Sequence, residues 1–584
     1  MCYQIVKPVI FHVLFFNCLF VVMLNMRYQT TDMAPQLPVD KYWSNMCLVE
    51  NIMTNSFEKW RNELQLNNDF DTEYILNGVK EGFDILDGNF PTFSSFYDNY
   101  VSARGDMNAK VSECMVKEVK LGNYVECSKC PQIVSGLGAV PKAGTNKIRL
   151  IHDMRRSGLN AMVSDTSVHY TTVDDATKSM KNNAFLCKVD LSSAYRSVPI
   201  HPSGYRYTGL SWRFTENDRK RYFFDTKLSF GAAKSCQIFT RLTSSVCRMM
   251  ARRGYTVFSY LDDFLIVSEN KRDCWLALNE LINLLTQLGF TINWDKVTPP
   301  TQQLIYLGVY IDTVSRKLSL PVNKVSELLD LVLSWQRKKR ASKKDIQRIC
   351  GKLNWACRVI RGGRHFLRNI INLIKRLKND KHRIWINREA RSDLIWWSTG
   401  LQIFNGETSF INDIPPPTVL MNTDACQNGC AGICMNDWFY VNFRIDCPDL
   451  QNKHISDKEM FAALLSVRKW GKQWTHKHVS IKCDNMATVI AINKGTSTSP
   501  FFMSCIQEMF WHSVKYDFRI SAVHVPGKNN FSSDAISRLC SPKHFVYASN
   551  ILLKNVGAIV VNCHNMSYAC FRCLQVLHRP CKVF

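Results

Sequence analysis

The 584-residue sequence lacks a hydrophobic run that is long enough to cross a membrane as a helix near its start. The apolar run at residues 9–24 holds 16 residues and is interrupted by His12 and Asn17, whereas a spanning helix needs about 20 apolar residues. No small-residue cleavage site of a secretory signal follows it. We therefore expect residues 1–40 to be an apolar leader outside the globular fold, and we expect no stable membrane association.

The sequence also lacks the dense cysteine frame of a small secreted protein, because its 23 cysteines are spread through the whole chain. Disulfides persist mainly in oxidising compartments. The distribution indicates reduced thiols and an intracellular protein of the cytoplasm or nucleus. The pairs Cys127/Cys130 and Cys570/Cys573 do not complete the ligand spacing of a structural zinc site, so neither is assigned a metal.

Acidic residues are scarce relative to basic ones. The chain has 74 Lys and Arg against 49 Asp and Glu, a formal charge of +25. This excess favours a polyanionic partner, with nucleic acid as the first candidate. With 46% hydrophobic and 11% aromatic residues the chain can bury real cores, which excludes wholesale disorder, and its length predicts several domains.

The stretch 258–267 places two adjacent carboxylates, Asp262 and Asp263, between runs of aromatic and β-branched residues. Such runs are typical of short buried strands, and the aspartates fall where a hairpin would turn. Asp in a hairpin often serves only the turn, because its side chain bonds its own backbone. A third carboxylate, Asp190, favours a further role, since it also closes a strand-like apolar run.

Carboxylates at the ends of two neighbouring strands would meet at one point. Mg²⁺ prefers hard oxygen ligands of this kind. Two such ions about 3.5–4 Å apart stabilise both the attacking and the leaving oxygen of a phosphoryl transfer. The sequence therefore predicts a two-metal site at Asp190, Asp262 and Asp263, with the chemistry of a polymerase.

Two basic residues precede this site. Lys142 and Arg149 lie on the two arms of a predicted hairpin whose tip is residues 144–146. Both suit a triphosphate, Lys as a point charge and Arg as a bidentate donor, although a solvated basic hairpin is the alternative. Three further elements are predicted downstream: a glycine-bearing turn into a helix at 228–237, an amphipathic helix at 275–288 ended by Gly289, and a strand pair at 304–311.

A second group of carboxylates follows the prolines 415–417, which mark a domain boundary because they continue neither a helix nor a central strand. Asp424 and Asp484 each close a strand-like run. Glu459 stands three residues after Ser456 before a helical run, the spacing of a capping box. That structural role would account for Glu459 by itself.

In order and spacing, the motifs up to residue 311 resemble the reverse transcriptases of retroelements. The resemblance implies an α+β and α/β fold: a right-hand polymerase of fingers, palm and thumb. It implies these roles: Asp190, Asp262 and Asp263 hold two catalytic Mg²⁺ ions, Lys142 and Arg149 bind the incoming triphosphate, Tyr195 disfavours a ribose 2′-hydroxyl, Phe230 and Gly231 lie against the nucleotide, and Tyr306, Leu307 and Gly308 grip the primer. Ser229 departs from the family's usual proline, which loosens that turn but removes no ligand.

The later carboxylates resemble the four-carboxylate site of ribonuclease H, in the family's order: Asp424, Glu459, Asp484 and Asp534. The resemblance implies a domain with a mixed sheet flanked by helices. It also implies two more Mg²⁺ ions, with Mn²⁺ as an alternative at both sites, and hydrolysis of the RNA strand of a hybrid. His524 resembles the region beside this site, and a satisfied structural histidine is the alternative.

These features divide the chain into seven segments: leader 1–40, N-terminal helical extension 41–135, reverse transcriptase fingers and palm 136–320, thumb and connection 321–411, proline linker 412–417, ribonuclease H-like domain 418–540, and Cys-containing tail 541–584. Segment 321–411 is basic and helical, which suits a thumb that tracks a phosphate backbone. Its motifs at 362–368 and 393–397 resemble DIRS-like retrotransposons of the tyrosine-recombinase type.

The partners implied are an RNA template, a DNA primer, an RNA–DNA hybrid and dNTPs. The sequence shows no protease, integrase or recombinase pattern, so we expect the integration machinery to be supplied separately. Two other hypotheses stand beside the enzyme. One is a decayed or domesticated copy that binds nucleic acid without catalysis. The other is a basic structural protein of chromatin or the membrane surface, which explains the charge but not the ordered carboxylates.

Overall fold

The computed structural model describes residues 41–539, except for residues 45, 50, 142–146, 165–166, 216, 378 and 380–381. The described residues form two compact units. Unit 1 is the chain up to Pro321 together with Gly406–Asn412, and unit 2 is Val322–Asn405 together with the chain from Asp413 onwards. The predicted leader 1–40 and tail 541–584 lie outside the described residues.

The secondary structure mixes helices and strands, as predicted. The described helices are α1 (Lys41–Ser44), α2 (Ile52–Asn55), α3 (Phe57–Asn67), α4 (Thr72–Glu81), α5 (Asn108–Lys120), α6 (Val173–Lys178), α7 (Ser235–Arg252), α8 (Lys271–Gln287), α9 (Val322–Arg337), α10 (Lys343–Ala356), α11 (Arg368–Lys375), α12 (Arg388–Ile403), α13 (Phe443–Asp446), α14 (Pro448–Gln451), α15 (Ile455–Trp470), α16 (Met486–Lys494), α17 (Pro500–Lys515) and α18 (Phe531–Ser537). The described strands are β1 (Ser95–Phe96), β2 (Tyr124–Cys127), β3 (Ile133–Val134), β4 (Gly136–Pro141), β5 (Ile148–Asp153), β6 (Phe185–Asp190), β7 (Gly209–Trp212), β8 (Arg221–Asp225), β9 (Thr256–Tyr260), β10 (Asp263–Ser268), β11 (Thr298–Thr301), β12 (Gln303–Tyr306), β13 (Val309–Asp312), β14 (Lys317–Ser319), β15 (Arg340–Ser342), β16 (Arg383–Trp385), β17 (Thr408–Ser409), β18 (Val419–Ala425), β19 (Gly429–Cys434), β20 (Asp437–Asn442), β21 (His478–Cys483) and β22 (Arg519–His524).

The sheet that carries the first predicted site lies in unit 1, with strand order β11-β6-β10-β9. Strand β10 pairs antiparallel with both β6 and β9, so the predicted hairpin around Asp262 and Asp263 is confirmed. Phe264 and Ile266 on β10 are fully buried. Helix α7 packs on β9, and α8 packs on β6 and β10. The remaining described sheets of unit 1 have the orders β1-β3-β7-β8-β2, β12-β13-β14-β17 and β4-β5.

Local chemistry sets the bounds of α8. The Asn270 side chain accepts a hydrogen bond from the Asp273 backbone N–H at 2.8 Å, which caps the first turn. Gly289 follows the last turn at φ +90, and a Cβ there would lie 2.6 Å from the Met53 Cα. Glycine is therefore required, and the predicted end of this helix is confirmed. The helix begins four residues before the predicted start at Trp275.

The segment predicted as a helical extension, 41–135, also contributes strands. Strands β1, β2 and β3 all join the five-stranded sheet of unit 1. The segment shares its core with the rest of the unit, since the buried Trp60 indole N–H donates to the Leu288 carbonyl at 3.0 Å. Helical periodicity alone did not indicate these strands because two of them are only two residues long.

Unit 2 contains a five-stranded mixed sheet with the order β20-β19-β18-β21-β22. Strands β18, β21 and β22 run parallel, whereas β19 and β20 pair antiparallel. Helices α15 and α17 pack on each other, and α15 packs on β18 and β19. The predicted mixed sheet flanked by helices is confirmed. Within the described part of the chain, no helix is both long enough and apolar enough to cross a membrane.

Candidate active sites

The first acidic cluster consists of Asp190, Asp262 and Asp263. Asp190 ends β6 and Asp263 begins β10, and the two are direct cross-strand partners. Asp262 lies in the turn between β9 and β10, and its carbonyl accepts a hydrogen bond from the Leu191 N–H at 3.0 Å. Leu261 adopts φ 53 in this turn. The structure thus brings together the three carboxylates predicted from distant parts of the sequence.

Burial makes this cluster electrostatically costly. Asp190 is 3% exposed. Burial raises the pKa of the Asp262 carboxyl, and the Asp190 carboxylate adds to the shift. Burial raises the pKa of Asp263 to about 7, opposed by Lys188 and supported by Asp262 and Asp190. The Asp263 Oδ1 atom is buried without a hydrogen-bond partner. These features suit a site that a divalent cation would complete.

Two partners of Asp190 were not predicted. The Lys296 ammonium lies 3.0 and 2.9 Å from its two oxygens, and the Asn293 amide donates to Oδ1 at 2.8 Å. A second cation, Lys188 on β6, lies 3.6 Å from Asp263 Oδ1. Lys188 could have been found from its spacing, because residues two apart on a strand share a face. Lys296 and Asn293 carry no such local pattern.

The residues predicted to bind substrate form a chain of contacts. The Arg149 guanidinium lies 4.9 Å from the Phe230 ring centroid, and the Phe230 and Tyr195 rings are 5.0 Å apart. The Tyr195 hydroxyl lies 3.1 Å from the Cys236 sulfur. The charge of Arg149 also lowers the pKa of Asp262 in opposition to burial, which places it near the first cluster.

Strands β4 and β5 form the predicted basic hairpin, with Val140 opposite Arg149. Its tip and Lys142 lie outside the described residues.

Gly231 occupies a position that no other residue would fit. Its φ is +127, and a Cβ there would lie 1.9 Å from the His152 carbonyl oxygen. The His152 N–H donates to the Phe230 carbonyl at 3.0 Å, and the Asn160 amide donates to the Gly231 carbonyl at 2.8 Å. The predicted turn is thereby tied to β5, and α7 follows it from Ser235, as predicted.

The predicted primer grip is a tight hairpin. Tyr306 and Val309 are partners on β12 and β13, so Leu307 and Gly308 form a two-residue turn, at φ 48 and φ 79. Positive φ at both positions is typical of the type I′ turn of hairpins. Tyr306 is fully buried, and its hydroxyl has no hydrogen-bond partner. Leu307 and Gly308 are partly exposed, so they are the members of this set that can reach a ligand.

The second acidic cluster consists of Asp424, Glu459, Asp484 and Asp534. Asp424 lies on β18, Glu459 on α15 and Asp534 on α18, and Asp484 directly follows β21. Because β18 and β21 are parallel neighbours, their carboxyl ends meet at one edge of the sheet. Asp424 and Glu459 are 2% and 3% exposed.

The capping-box interpretation of Glu459 is wrong. Helix α15 begins at Ile455, and its cap is His454, whose ring nitrogen accepts from the Ser456 N–H at 3.2 Å. Glu459 instead turns inward and accepts a hydrogen bond from the Ala425 N–H at 2.9 Å. Its other oxygen lies 3.6 Å from the Cys483 sulfur. Glu459 lies one turn into α15, so its carboxylate reaches strand β18 rather than the first backbone N–H groups of the helix.

Burial also governs the charges of the second cluster. It raises the pKa of Asp424 to about 7, with the Ser537 hydrogen bond opposing it and Asp484 and Asp534 adding to it. It raises the pKa of Glu459 well above its ordinary value, to which Asp424 and Asp484 also contribute. The pKa of Asp484 rises as well, first through burial and then through Asp534.

Ser537 and Arg538 are functional candidates that sequence reasoning missed. The Ser537 hydroxyl donates to Asp424 Oδ2 at 2.6 Å, and the Arg538 guanidinium binds Asp534 Oδ1 at 2.6 Å. Ser537 is the last residue of α18, and Arg538 directly follows it. Because Asp534 and Arg538 are four residues apart, their spacing could have indicated the ion pair. The His524 ring lies 3.1 Å from the Asp484 backbone carbonyl, beside the cluster, and it contacts no carboxylate of the cluster by a hydrogen bond among those described.

Carboxylate oxygens are the donors that Mg²⁺ prefers, so both clusters fit that ion chemically. Among the residues that the structure describes, Glu459, Cys483 and Asp484 form a set whose ligand atoms all lie within 4.8 Å of one another. The Cys483 thiol is a soft ligand, and burial raises its pKa, so Mg²⁺ would be held by the carboxylates of this set. Described residues 127 and 130 belong to no such set.

Known proteins match the part of the chain that contains the first acidic cluster. The model of the family "Reverse transcriptase (RNA-dependent DNA polymerase)" matches residues 140–311. The chain is 28% identical over 182 residues to Protein P of duck hepatitis B virus (strain China), covering 31% of this chain and 22% of that protein. It is 22% identical over 337 residues to an uncharacterized protein of Caenorhabditis elegans, covering 54% of this chain and 24% of that protein.

The chain thus spans about a fifth of the length of these curated relatives. A solved structure of the foamy viral protease-reverse transcriptase in complex with double-stranded DNA aligns over 85% of this chain and 99% of that one, at a TM-score of 0.47 and 15% identity. Residues 140–311, which contain Asp190, Asp262 and Asp263, are a reverse transcriptase domain, and part of the chain is homologous to a viral protein.

Proposed function

We propose that this protein is an RNA-directed DNA polymerase of a retrotransposon that also carries ribonuclease H activity. The observation that supports the polymerase most directly is the pairing of Asp190 with Asp263 across β6 and β10, with Asp262 in the adjoining turn. This arrangement lies inside the segment that matches the reverse transcriptase family. The +25 charge of the chain is in keeping with a nucleic-acid substrate.

In the proposed reaction the 3′-hydroxyl of a DNA primer attacks the α-phosphate of a dNTP opposite an RNA template, and pyrophosphate leaves. Asp190, Asp262 and Asp263 would hold two Mg²⁺ ions, or Mn²⁺ in their place. Bound ions supply the positive charge that stabilises the attacking and leaving oxygens. Lys296 offers a fixed cation beside Asp190 that offsets part of the carboxylate repulsion.

The other proposed roles concern substrate binding, and several of the residues involved contact one another around Phe230. Arg149, with Lys142, would bind the triphosphate through charge-assisted hydrogen bonds. Tyr195 would limit the room for a ribose 2′-hydroxyl, and Phe230 and Gly231 would lie against the nucleotide. Leu307 and Gly308, presented by the hairpin that buries Tyr306, would contact the primer end.

For the ribonuclease H activity, Asp424, Glu459, Asp484 and Asp534 would hold two divalent ions that assist hydrolysis of the RNA strand in a hybrid. Their convergence at one edge of the sheet of unit 2 supports this assignment. Glu459 is oriented by the Ala425 N–H, and Asp424 by the Ser537 hydroxyl. Persistence of all seven acidic residues favours an active enzyme over a decayed copy that only binds nucleic acid.

The finer assignments are also proposals. We propose fingers and palm at 136–320, a thumb and connection at 321–411, and a ribonuclease H-like domain at 418–540. We propose a DIRS-like retrotransposon source, with integration machinery supplied separately. Every cysteine that the structure describes is a free thiol, which supports an intracellular location in the cytoplasm or nucleus.

The test is primer extension on poly(rA)/oligo(dT) with Mg²⁺, run beside cleavage of a labelled RNA–DNA hybrid. Asp262→Asn should lower extension about 100-fold or more and leave cleavage intact, because charge stabilisation at a transition state is worth that much. Asp484→Asn should do the reverse. The exposed Asp330→Asn on α9 serves as the matched control. Extension that survives both Asp262→Asn and Asp263→Asn would contradict the assignment of the first cluster.

A further inference from the structure

A short two-stranded ribbon in unit 2 presents an unusual surface. Strand β15 pairs antiparallel with β16, with Arg340 opposite Trp385 and Ser342 opposite Arg383. Because side chains alternate between the two faces of a strand, these four share one face. Ala341, between Arg340 and Ser342, is buried and so takes the other face. We call the outward face the ribbon face.

The surroundings of the ribbon face are strongly basic. Residues 337–344 and 382–388 together contain eight Lys and Arg and no Asp or Glu. The exposed members of this group are Arg337, Lys339, Arg340, Lys344, Arg383 and Arg388. Lys338 is set apart from them because it pairs with Asp345 at 3.1 Å. A concentration of exposed cations on a short ribbon is an electrostatic match for a phosphate backbone.

Trp385 gives this basic surface a flat apolar platform. The side chain is 57% exposed, and the Arg340 guanidinium lies 4.2 Å from its ring centroid. The attraction between this cation and the ring face helps to hold the indole in one orientation. The exposed ring therefore offers a flat apolar face on which a planar group can stack.

The backbone of the ribbon is fixed from both sides. The Ile386 N–H donates to the Lys339 carbonyl at 3.0 Å, and the Arg391 side chain donates to the Lys338 carbonyl at 3.0 Å. The Ser342 hydroxyl accepts from the Asp345 N–H at 3.2 Å and so caps α10. The ribbon face is therefore presented without a large ordering cost on binding.

We propose that the ribbon face binds single-stranded nucleic acid, with Trp385 stacking on an unpaired base and Arg340 and Arg383 contacting adjacent phosphates. A base inside a duplex has both faces covered by its neighbours, whereas an unpaired base has a face free for an aromatic side chain. This inference rests on the proposed function, since it names how an enzyme that copies a nucleic acid would hold an unpaired strand.

The test measures binding of the full-length protein to three fluorescent probes: a single-stranded RNA oligonucleotide, a single-stranded DNA oligonucleotide and a blunt duplex of equal length. Trp385→Ala should raise Kd for the single strands about 5- to 100-fold, the range expected for loss of one stacked base. Trp385→Phe should stay within about 3-fold of the wild type, because a ring remains. Duplex binding should change less than about 2-fold with either variant.

Matched controls are Trp275→Ala, another exposed tryptophan, and Lys324→Ala, a half-exposed lysine paired with Glu327. Arg340→Ala and Arg383→Ala should each reduce the slope of log K against log salt concentration by about 0.7 on single strands. Circular dichroism reports whether each variant is folded, and the salt slopes of Arg340→Ala and Arg383→Ala carry the test if Trp385→Ala is not folded.

Unchanged single-strand affinity in folded Trp385→Ala would overturn the proposal. Equal weakening of duplex and single-strand binding would also overturn it, since the surface would then recognise backbone alone. The outcome is independent of catalysis. Trp385-dependent binding in a protein that never extends a primer would support the ribbon face as a binding site and contradict the proposed polymerase activity. Primer extension without Trp385-dependent binding would support the polymerase activity and contradict the ribbon face as a binding site.

Discussion

Asp190 and Asp263 stand directly opposite each other on adjacent antiparallel strands, so that two carboxylates share one edge of a mostly apolar sheet. Like charges directly opposite one another on a sheet destabilise it. Lys296 on Asp190 and Lys188 near Asp263 offset part of this repulsion. The sheet therefore holds an arrangement that is costly in the folded state and useful for holding divalent cations.

The first prediction is that Asp263→Asn stabilises the metal-free protein while it abolishes primer extension. The pKa of Asp263 in the folded state, about 7, lies above its unfolded value, so the folded state binds the extra proton and loses stability as pH rises from about 4 to 7. Removing the charge should add about 1 kcal/mol to the free energy of unfolding at neutral pH. Denaturant unfolding of variant and wild type in EDTA, at acidic and at neutral pH, measures this difference in the free energy of unfolding. A variant less stable than the wild type at neutral pH would contradict the argument, and Asp330→Asn is the control.

The second prediction concerns Lys296. Replacing it with Met removes the cation from buried Asp190 and should lower the free energy of unfolding in EDTA by about 1 kcal/mol, a modest value because the Lys296 side chain is half exposed. Excess Mg²⁺ should reduce the deficit, since bound ions would then balance Asp190. Lys296→Arg should restore most of the stability. A deficit that is the same with and without Mg²⁺ would indicate that Lys296 acts only in packing.

Local patterns predicted much of the first site and less of its electrostatics. Alternating apolar runs indicated β9 and β10 and placed Asp262 and Asp263 at the turn, because hairpins are determined by neighbouring residues. The Asp190–Lys296 contact spans 106 positions, and nothing in the sequence near either residue marks the other. Contacts of this kind depend on how strands are ordered in the sheet, and that order is set by the packing of the whole unit.

Glu459 shows a different limit. The spacing of Ser456 and Glu459 fits a capping box as well as a site residue, so local sequence leaves both open. Tertiary structure decides between them. The buried Ala425 N–H of β18 needs a hydrogen-bond acceptor, and Glu459 supplies it. The short strands β1 and β3 were missed for a similar reason, since their pairing partners, not their own sequences, make them strands.

The third prediction tests the proposed role of Glu459 in cleavage. Glu459→Gln keeps the size of the side chain and removes a buried charge, so it should abolish hybrid cleavage with little loss of stability. Ser456→Ala should leave cleavage within about 2-fold, because the cap of α15 is His454 and the Ser456 hydroxyl bonds the Asn485 amide rather than a carboxylate of the second cluster. Cleavage rates and melting temperatures of both variants are measured together. Retained cleavage with a lower melting temperature in Glu459→Gln would show that Glu459 has a structural role and does not take part in cleavage.

The fourth prediction is a pH dependence of hybrid cleavage. The pKa of Asp424 is about 7 without metal, so protons should compete with Mg²⁺ at this carboxylate, and the Mg²⁺ concentration needed for half-maximal cleavage should rise as pH falls below 7. Ser537→Ala removes a hydrogen bond that lowers this pKa and should shift the profile to higher pH. Ser466→Ala, a buried serine bonded to the Ala462 carbonyl, should not shift it. Profiles of Ser537→Ala and wild type that coincide would show that Asp424 does not limit metal binding.

The fifth prediction uses two glycines with positive φ. At Gly231 a Cβ would lie 1.9 Å from the His152 carbonyl oxygen, whereas at Gly254, with φ +84, nothing lies within 4 Å. Gly254→Ala should therefore cost only the backbone strain of a left-handed residue, about 1 kcal/mol. Gly231→Ala must in addition displace β5 or the turn before α7, which moves Phe230 and the Arg149 that packs on it.

We expect Gly231→Ala to lower primer extension at least about 10-fold through a higher KM for dNTP, because misplacement of a positioning group by about 1 Å is costly. Hybrid cleavage by the same protein should stay near the wild-type rate, which distinguishes a local change from global unfolding. Gly254→Ala should leave both activities intact. If Gly231→Ala extended primers with an unchanged KM, the turn at Phe230 and Gly231 would not contact the nucleotide, and the substrate site would have to be sought elsewhere around the first acidic cluster.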